Sequence, residues 1–140
     1  MKIKMLVMDV DGTLTDGHIY ISPEGECMKA FNVKDGYGIV QIQKEGILPV
    51  IITGRTSKIV AERAKELNIT ELYQGIDDKL EQLKQITKKY GISSQEIAYI
   101  GDDMNDLDCI EFCGLSACPA DAYIGIHQKV NFVCHYKGGC

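Results

Sequence analysis

Short, mostly apolar runs recur along this chain with helix-period segments between them, and few folds accommodate that alternation. Strands are expected at 3–9, 48–52, 70–74 and 96–100, with further ones at 115–118 and 131–134. Helices are expected at 36–45, 57–67, 78–90 and 103–112. In the third of these, Leu80, Leu83, Ile86 and Thr87 recur at helical spacing, with lysines and glutamines between them. Gly46, Gly91 and Gly114 follow three of the helices, where a left-handed cap is wanted. Apolar strands alternating with helices imply a parallel sheet covered on both faces, a doubly wound α/β chain. With 140 residues, 45% of them hydrophobic, the chain has enough apolar material for one domain spanning 1–140.

Residues 16–34 break the rhythm. Two short alternating runs flank Ser22-Pro23-Glu24-Gly25, which reads as a β-hairpin. It would protrude between the first strand and the first helix, at the carboxyl edge of the sheet, where open α/β sheets bind ligands. The net charge of −5 gives no footprint for nucleic acid. No apolar run approaches the roughly 18 residues of a membrane span, and the apolar start is too short for a secretory signal. A cytoplasmic location is expected. Six cysteines (Cys27, Cys109, Cys113, Cys118, Cys134, Cys140) include no CxxC, so they read as reduced thiols, several of them buried.

The first strand runs out into Asp9-Val10-Asp11-Gly12-Thr13. In a strand, residues two apart share a face, so two carboxylates would stand side by side and repel. A fold accepts such a pair most readily around a cation or a proton. The pair therefore proposes a metal site, a catalytic carboxyl pair, or both. A carboxylate at a strand end can attack phosphorus, and a second one can move protons.

Three further segments fall where the same sheet edge would gather them. Ile52-Thr53-Gly54-Arg55 offers a hydroxyl and backbone N–H groups at a helix start, a small anion site or a plain cap. In Asp77-Asp78-Lys79 the acids suit a first helical turn, but the lysine opposes the helix dipole unless an anion lies nearby. Taken alone, Lys79 reads as a solvated side chain. Gly101-Asp102-Asp103-Met104-Asn105-Asp106 crowds three carboxylates at a strand end, more than caps require and suited to Mg²⁺. Together the four segments hold the parts phosphoryl transfer needs. Arg55 and Arg63, eight apart, are expected two turns apart on one helix face, where they could meet a substrate carboxylate or phosphate. Lys34, Asp35 and Gln74 are weaker candidates of the same kind.

In this order, DVDGT, ITGR, DDK and GDDMND, the segments resemble those of the haloacid dehalogenase superfamily of phosphohydrolases. The resemblance implies Asp9 as nucleophile and Asp11 as general acid/base, with Thr53 and Lys79 holding the phosphoryl group. It implies Mg²⁺ on the Asp9 carboxylate, the Asp11 carbonyl and the Asp102 carboxylate, supported by Asp103 and Asp106. Gly54, Arg55 and Arg63 would bind substrate. Only the hairpin stands where relatives insert a cap domain, so the chain resembles a capless member. Stretches such as LTDGHIY at 14–20 and KAFNVKDGYGI at 29–39 resemble the capless sugar-acid phosphate phosphatases of this superfamily. That implies a homotetramer with packed hairpins and an eight-carbon sugar-acid phosphate as substrate, in lipopolysaccharide precursor synthesis. A nine-carbon sugar-acid phosphate is the alternative. A phospho-receiver would place its acidic pair first and its phosphorylated Asp in mid-chain, unlike this order, and a silent assembly domain would not need the intact acids and lysine. The resemblance also implies a glycine-rich tail continuing into an arginine-bearing segment. Here the sequence ends at Tyr136-Lys137-Gly138-Gly139-Cys140, and lower turnover or affinity is expected if that tail closes a neighbour's site.

Overall fold

A computed structural model describes residues 2–140. Six parallel strands form the main sheet: β1 (Met5–Met8), β4 (Leu48–Ile52), β5 (Glu71–Tyr73), β6 (Ile97–Ile100), β7 (Leu115–Cys118) and β8 (Phe132–Val133). Their order is β5-β4-β1-β6-β7-β8. The chain winds outward from β1 in one direction and then crosses back to build the other half. The doubly wound sheet is the expected one, and β1 flanks its switch point, where such sheets bind ligands.

Side-chain parity on β1 shows how both faces are covered. Met5 and Val7 join a core with Leu83, Ile86, Ile97 and Ile110. Met8 and Val10 join another with Ile39, Val60, Ala64 and Leu67. Helices α3 (Lys79–Tyr90) and α4 (Leu107–Phe112) cover the first face, and α1 (Val33–Lys44) and α2 (Lys58–Glu66) the second. A one-turn α5 (Ile124–His127), which the sequence did not signal, adds Ile126 to the first core. None of the described helices is long and apolar enough to cross a membrane.

Between β1 and α1, β2 (Tyr20–Ser22) and β3 (Gly25–Met28) pair antiparallel as the expected hairpin. Helix α1 begins at Val33, earlier than its glycines suggest, because the Asn32 side chain accepts a 2.8 Å hydrogen bond from the Lys34 N–H. The hairpin segment therefore ends before residue 34. Gly91 is a left-handed cap with φ of 63°, and Gly46 has φ of 80°. Gly114 does different work: a Cβ there would lie 2.6 Å from the Gln95 carbonyl oxygen, so close backbone packing demands glycine. The six cysteines are unpaired, with Cys109 and Cys118 in the core. Burial pushes the Cys109 thiol up to about 12 and the Cys118 thiol up to about 11.

Candidate active site

Strand β1 stops at Met8, one residue short of Asp9. Beyond it the backbone N–H groups of Thr13, Leu14 and Thr15 all reach the Val10 carbonyl, at 2.9–3.1 Å, and fold the chain into a tight turn. The Thr15 hydroxyl, itself buried, accepts from the N–H groups of Gly12 and Gly17 and braces that turn. Asp9 and Asp11 are therefore not neighbours on one strand face, as the i, i+2 argument expects. Each is met by its own lysine. Lys79 Nζ lies 3.0 Å from Asp9 Oδ1, and Lys29 Nζ lies 2.6 Å from Asp11 Oδ1.

Lys79 is the first residue of α3, whose N-cap is Asp78. Its side chain turns inward and is buried, rather than standing in solvent. Nζ also contacts Asp106 Oδ1 at 2.9 Å. Burial alone would lower its pKa, but the Asp9 and Asp106 charges outweigh burial and raise it. Lys79 is a fixed cation.

Asp106 is fully buried and saturated. Besides Lys79 it accepts from the Tyr99 hydroxyl at 2.5 Å and from the Asp102 and Asp103 N–H groups at 3.0 and 3.3 Å. Such a carboxylate serves to position its neighbours. Tyr99, on β6, is a site residue that no sequence signal marked, because a buried strand tyrosine looks like ordinary core. Asp103 is exposed at the edge of the cleft and caps a short 3₁₀ turn over Met104–Asp106 through the Met104 N–H. The helix expected from 103 thus begins as 3₁₀ and becomes α at Leu107.

Oxygens of Asp9, Asp102 and Asp106 lie within 4.8 Å of one another. Burial and the neighbouring Asp9 raise the Asp102 carboxyl to about 8, and burial and Asp106 raise Asp9. Three carboxylates against one lysine leave an excess of negative charge in a confined space. The donor set is all-oxygen and hard, which fits Mg²⁺. Gly12, with φ of 88°, makes the approach possible: a Cβ there would lie 1.9 Å from Asp102 Oδ2. Thr13 Oγ1 donates to Asp102 at 3.4 Å.

These groups open into a cleft of about 210 Å³ lined by Asp9, Asp11, Thr53, Gly54, Arg55, Asp102 and Asp103, with Asn105. Thr53 is buried just past β4, its N–H donating to the Tyr73 carbonyl at 2.9 Å and its own carbonyl accepting from Ile76 at 3.1 Å. Ser57 caps α2, and its N–H donates to Gln74 Oε1 at 2.8 Å, which gives Gln74 a scaffolding place behind the cleft.

Arg63 lies outside the cleft. The two arginines are not two turns apart on a helix, because α2 begins at Lys58 and leaves Arg55 on the preceding loop. Arg63 stacks on the Phe31 ring at 5.5 Å, pairs with Glu66 and donates to the Asn32 carbonyl at 3.4 Å. It packs against Gly36, where a Cβ would meet its Nη2 at 2.6 Å. Its role here is to tie α2 to α1. Lys34 and Asp35 line grooves beside α1 instead of the acidic cleft.

Residues 67–138 match the family model of haloacid dehalogenase-like hydrolases. The chain is 43% identical over 137 residues to the 3-deoxy-D-manno-octulosonate 8-phosphate phosphatase of Salmonella typhi, covering 98% of this chain and 73% of that one. A crystal structure of the same phosphatase from Yersinia pestis superposes with a TM-score of 0.96 at 43% identity, covering 98% of this chain and 74% of that one. The enzyme from Moraxella catarrhalis, solved with magnesium, phosphate and 3-deoxy-D-manno-octulosonate, superposes with a TM-score of 0.94 at 42% identity, covering 98% and 79%. With this fold, this acidic cleft and these relatives, the chain belongs to the haloacid dehalogenase-like hydrolases.

Proposed function

We propose that this protein is a Mg²⁺-dependent phosphatase that releases inorganic phosphate from 3-deoxy-D-manno-octulosonate 8-phosphate, a lipopolysaccharide precursor. The observation that carries the reading is the gathering of Asp9, Asp11, Thr53 and Asp102 in one cleft with Lys79 behind it, in a chain 42–43% identical along nearly its whole length to phosphatases of that name.

In this reading an Asp9 carboxylate oxygen attacks phosphorus as the bond from phosphorus to the sugar oxygen breaks. The Asp11 carboxyl gives its proton to that sugar oxygen. A water molecule then attacks the aspartyl-phosphate at phosphorus, Asp11 takes the water's proton, and Asp9 and inorganic phosphate are freed. Thr53, the Gly54 N–H and Lys79 bind the phosphoryl oxygens, and Arg55 pairs with the substrate carboxylate. The carboxylates of Asp9 and Asp102 and the Asp11 carbonyl would hold Mg²⁺, which supplies charge neutralisation on the phosphoryl oxygens. Asp106 orients that set from behind through the Asp102 N–H, and Asp103, at the cleft edge, shapes the turn that carries them.

A homotetramer joined through the hairpins fits the exposed Ile19, Tyr20, Ile21 and Met28 there, and a cytoplasmic location suits a sugar-precursor enzyme. Light scattering reads the tetramer directly. The substrate assignment is tested by comparing kcat/KM on eight- and nine-carbon keto-sugar-acid phosphates and on hexose phosphates. A clear preference for the eight-carbon acid, abolished by EDTA, is expected, and equal rates on all three would refute the assignment.

A further inference from the structure

Lys29 belongs to none of the four segments. It follows β3 at the base of the hairpin, yet its side chain is only 1% exposed, which is rare for lysine. Nζ lies 2.6 Å from Asp11 Oδ1 and 3.1 Å from Glu26 Oε2. Glu26 in turn accepts from the Ser57 hydroxyl, at the cap of α2. A line of polar contacts thus runs from Asp11, through the hairpin base, to the helix that begins just past Thr53, Gly54 and Arg55. Asp11 sits on a turn and not in a strand, so no sheet bond fixes it. Among the described residues, Lys29 is the one side chain that bonds the Asp11 carboxylate, and it takes Oδ1 alone.

We infer that Lys29 is a positioning residue for proton transfer: it holds Asp11 by Oδ1, leaves Oδ2 to face the leaving oxygen, and through Glu26 ties that orientation to the start of α2. The hairpin base is then part of the catalytic framework. The inference rests on the phosphatase reading and on Asp11 as its proton carrier. A misplacement of about 1 Å can cost roughly 10²-fold in rate, which sets the size of the effect.

The test separates positioning of an acid from general damage. Lys29→Met should lower kcat/KM for the sugar-acid phosphate about 10²-fold. For p-nitrophenyl phosphate, whose leaving group departs without needing a proton, kcat/KM should fall by no more than about fivefold. Lys29→Arg, which keeps a cation, should recover part of the difference. If Lys29→Met fails to fold by circular dichroism, Glu26→Gln carries the same comparison. It loosens Lys29 without removing its charge, and the same order of losses is expected at smaller size. Equal losses on the two substrates, or an unchanged ratio in whichever variant folds, would overturn the positioning role. A wild-type protein that hydrolyses neither substrate would overturn the phosphatase reading instead.

Discussion

Helix α3 delivers a lysine to each of two charge clusters, and the clusters behave oppositely. At its start, on the carboxyl edge of the sheet, Lys79 faces Asp9 and Asp106, with Asp102 alongside. At its end, on the amino edge, Lys89 bonds Glu71 at 2.8 Å, and the hydroxyls of Tyr73 and Tyr90 donate to the same carboxylate. The first cluster has more acid than base, and its carboxyls are pushed up. In the second, burial works against the charge, but Lys89, Tyr73 and Tyr90 prevail and hold Glu71 below its ordinary value. The amino-edge cluster is complete as folded and serves stability. The carboxyl-edge cluster carries an uncompensated negative charge that a cation would balance, and strongly shifted groups in a cleft are the electrostatic mark of a functional site.

The comparison breaks most sharply at Asp9. Asp9→Asn should reduce turnover by about 10⁴-fold or more, because in the proposed reaction no other carboxylate replaces Asp9 as nucleophile. It also removes one of the crowded charges, so the thermal midpoint should stay level or rise. Phosphate-release assays and calorimetry on the same sample check both halves. A large fall in stability would show that Asp9 belongs with the structural kind of cluster.

Lys79→Met comes next. It strands Asp9 and Asp106 in a buried site, and losing one partner of a buried pair typically costs about 3–5 kcal/mol. Urea unfolding should show that loss, together with a collapse of activity. Retained stability would mean that the carboxyls simply take up protons.

The sequence announced the carboxyl edge more fully than it announced the amino edge. Asp9, Asp11, Thr53, Lys79 and Asp102 stand at strand ends or helix starts, where an unusual residue type is conspicuous against local expectation. Glu71, Lys29 and Tyr99 give no such signal. Their meaning comes in large part from distant partners, Lys89 and Tyr90 at 18 and 19 positions from Glu71 and Asp11 at 18 from Lys29, and for Tyr99 from a burial that only the packed sheet supplies. Arg63 falls outside the cleft for a local reason: α2 begins after the Ser57 cap, so spacing counted from Arg55 crosses a loop. The strand pattern was legible because parallel strands need apolar runs, whereas the four-residue α5 is too short to leave a period.

The two clusters should also give opposite pH slopes. Asp102 has a folded value near 8, well above its ordinary 3.8, through burial and Asp9. The fold therefore favours its protonated form, and the metal-free protein should lose stability as pH rises from about 4 towards 8. Bound Mg²⁺ favours the ionised carboxylates, so saturating Mg²⁺ should flatten that slope. At 100 times its dissociation constant a ligand adds about 2.7 kcal/mol, well within reach of a thermal-shift measurement. An Mg²⁺-independent midpoint across this range would remove the cation from the account.

The smallest effect belongs to Glu71→Gln. Its amide keeps one acceptor but turns N–H groups towards tyrosine hydroxyls that had been donors, and leaving buried polar groups mismatched costs about 1–3 kcal/mol. Activity should stay within about twofold, since surface and structural sites away from the cleft act on folding and not on the transition state. The sign of the pH effect is fixed by the downward shift. Glu71 contributes its full stabilisation above the unfolded carboxyl value near 4.3, and that contribution is lost as pH falls through the lower folded value. Glu71→Gln should therefore be less stable than wild type at pH 7, with the gap closing as the medium is acidified below about 4. Unfolding curves at pH 7 and at pH 3 decide it: a gap that stays constant would mean that the glutamate's shape, and not its charge, holds the amino edge together.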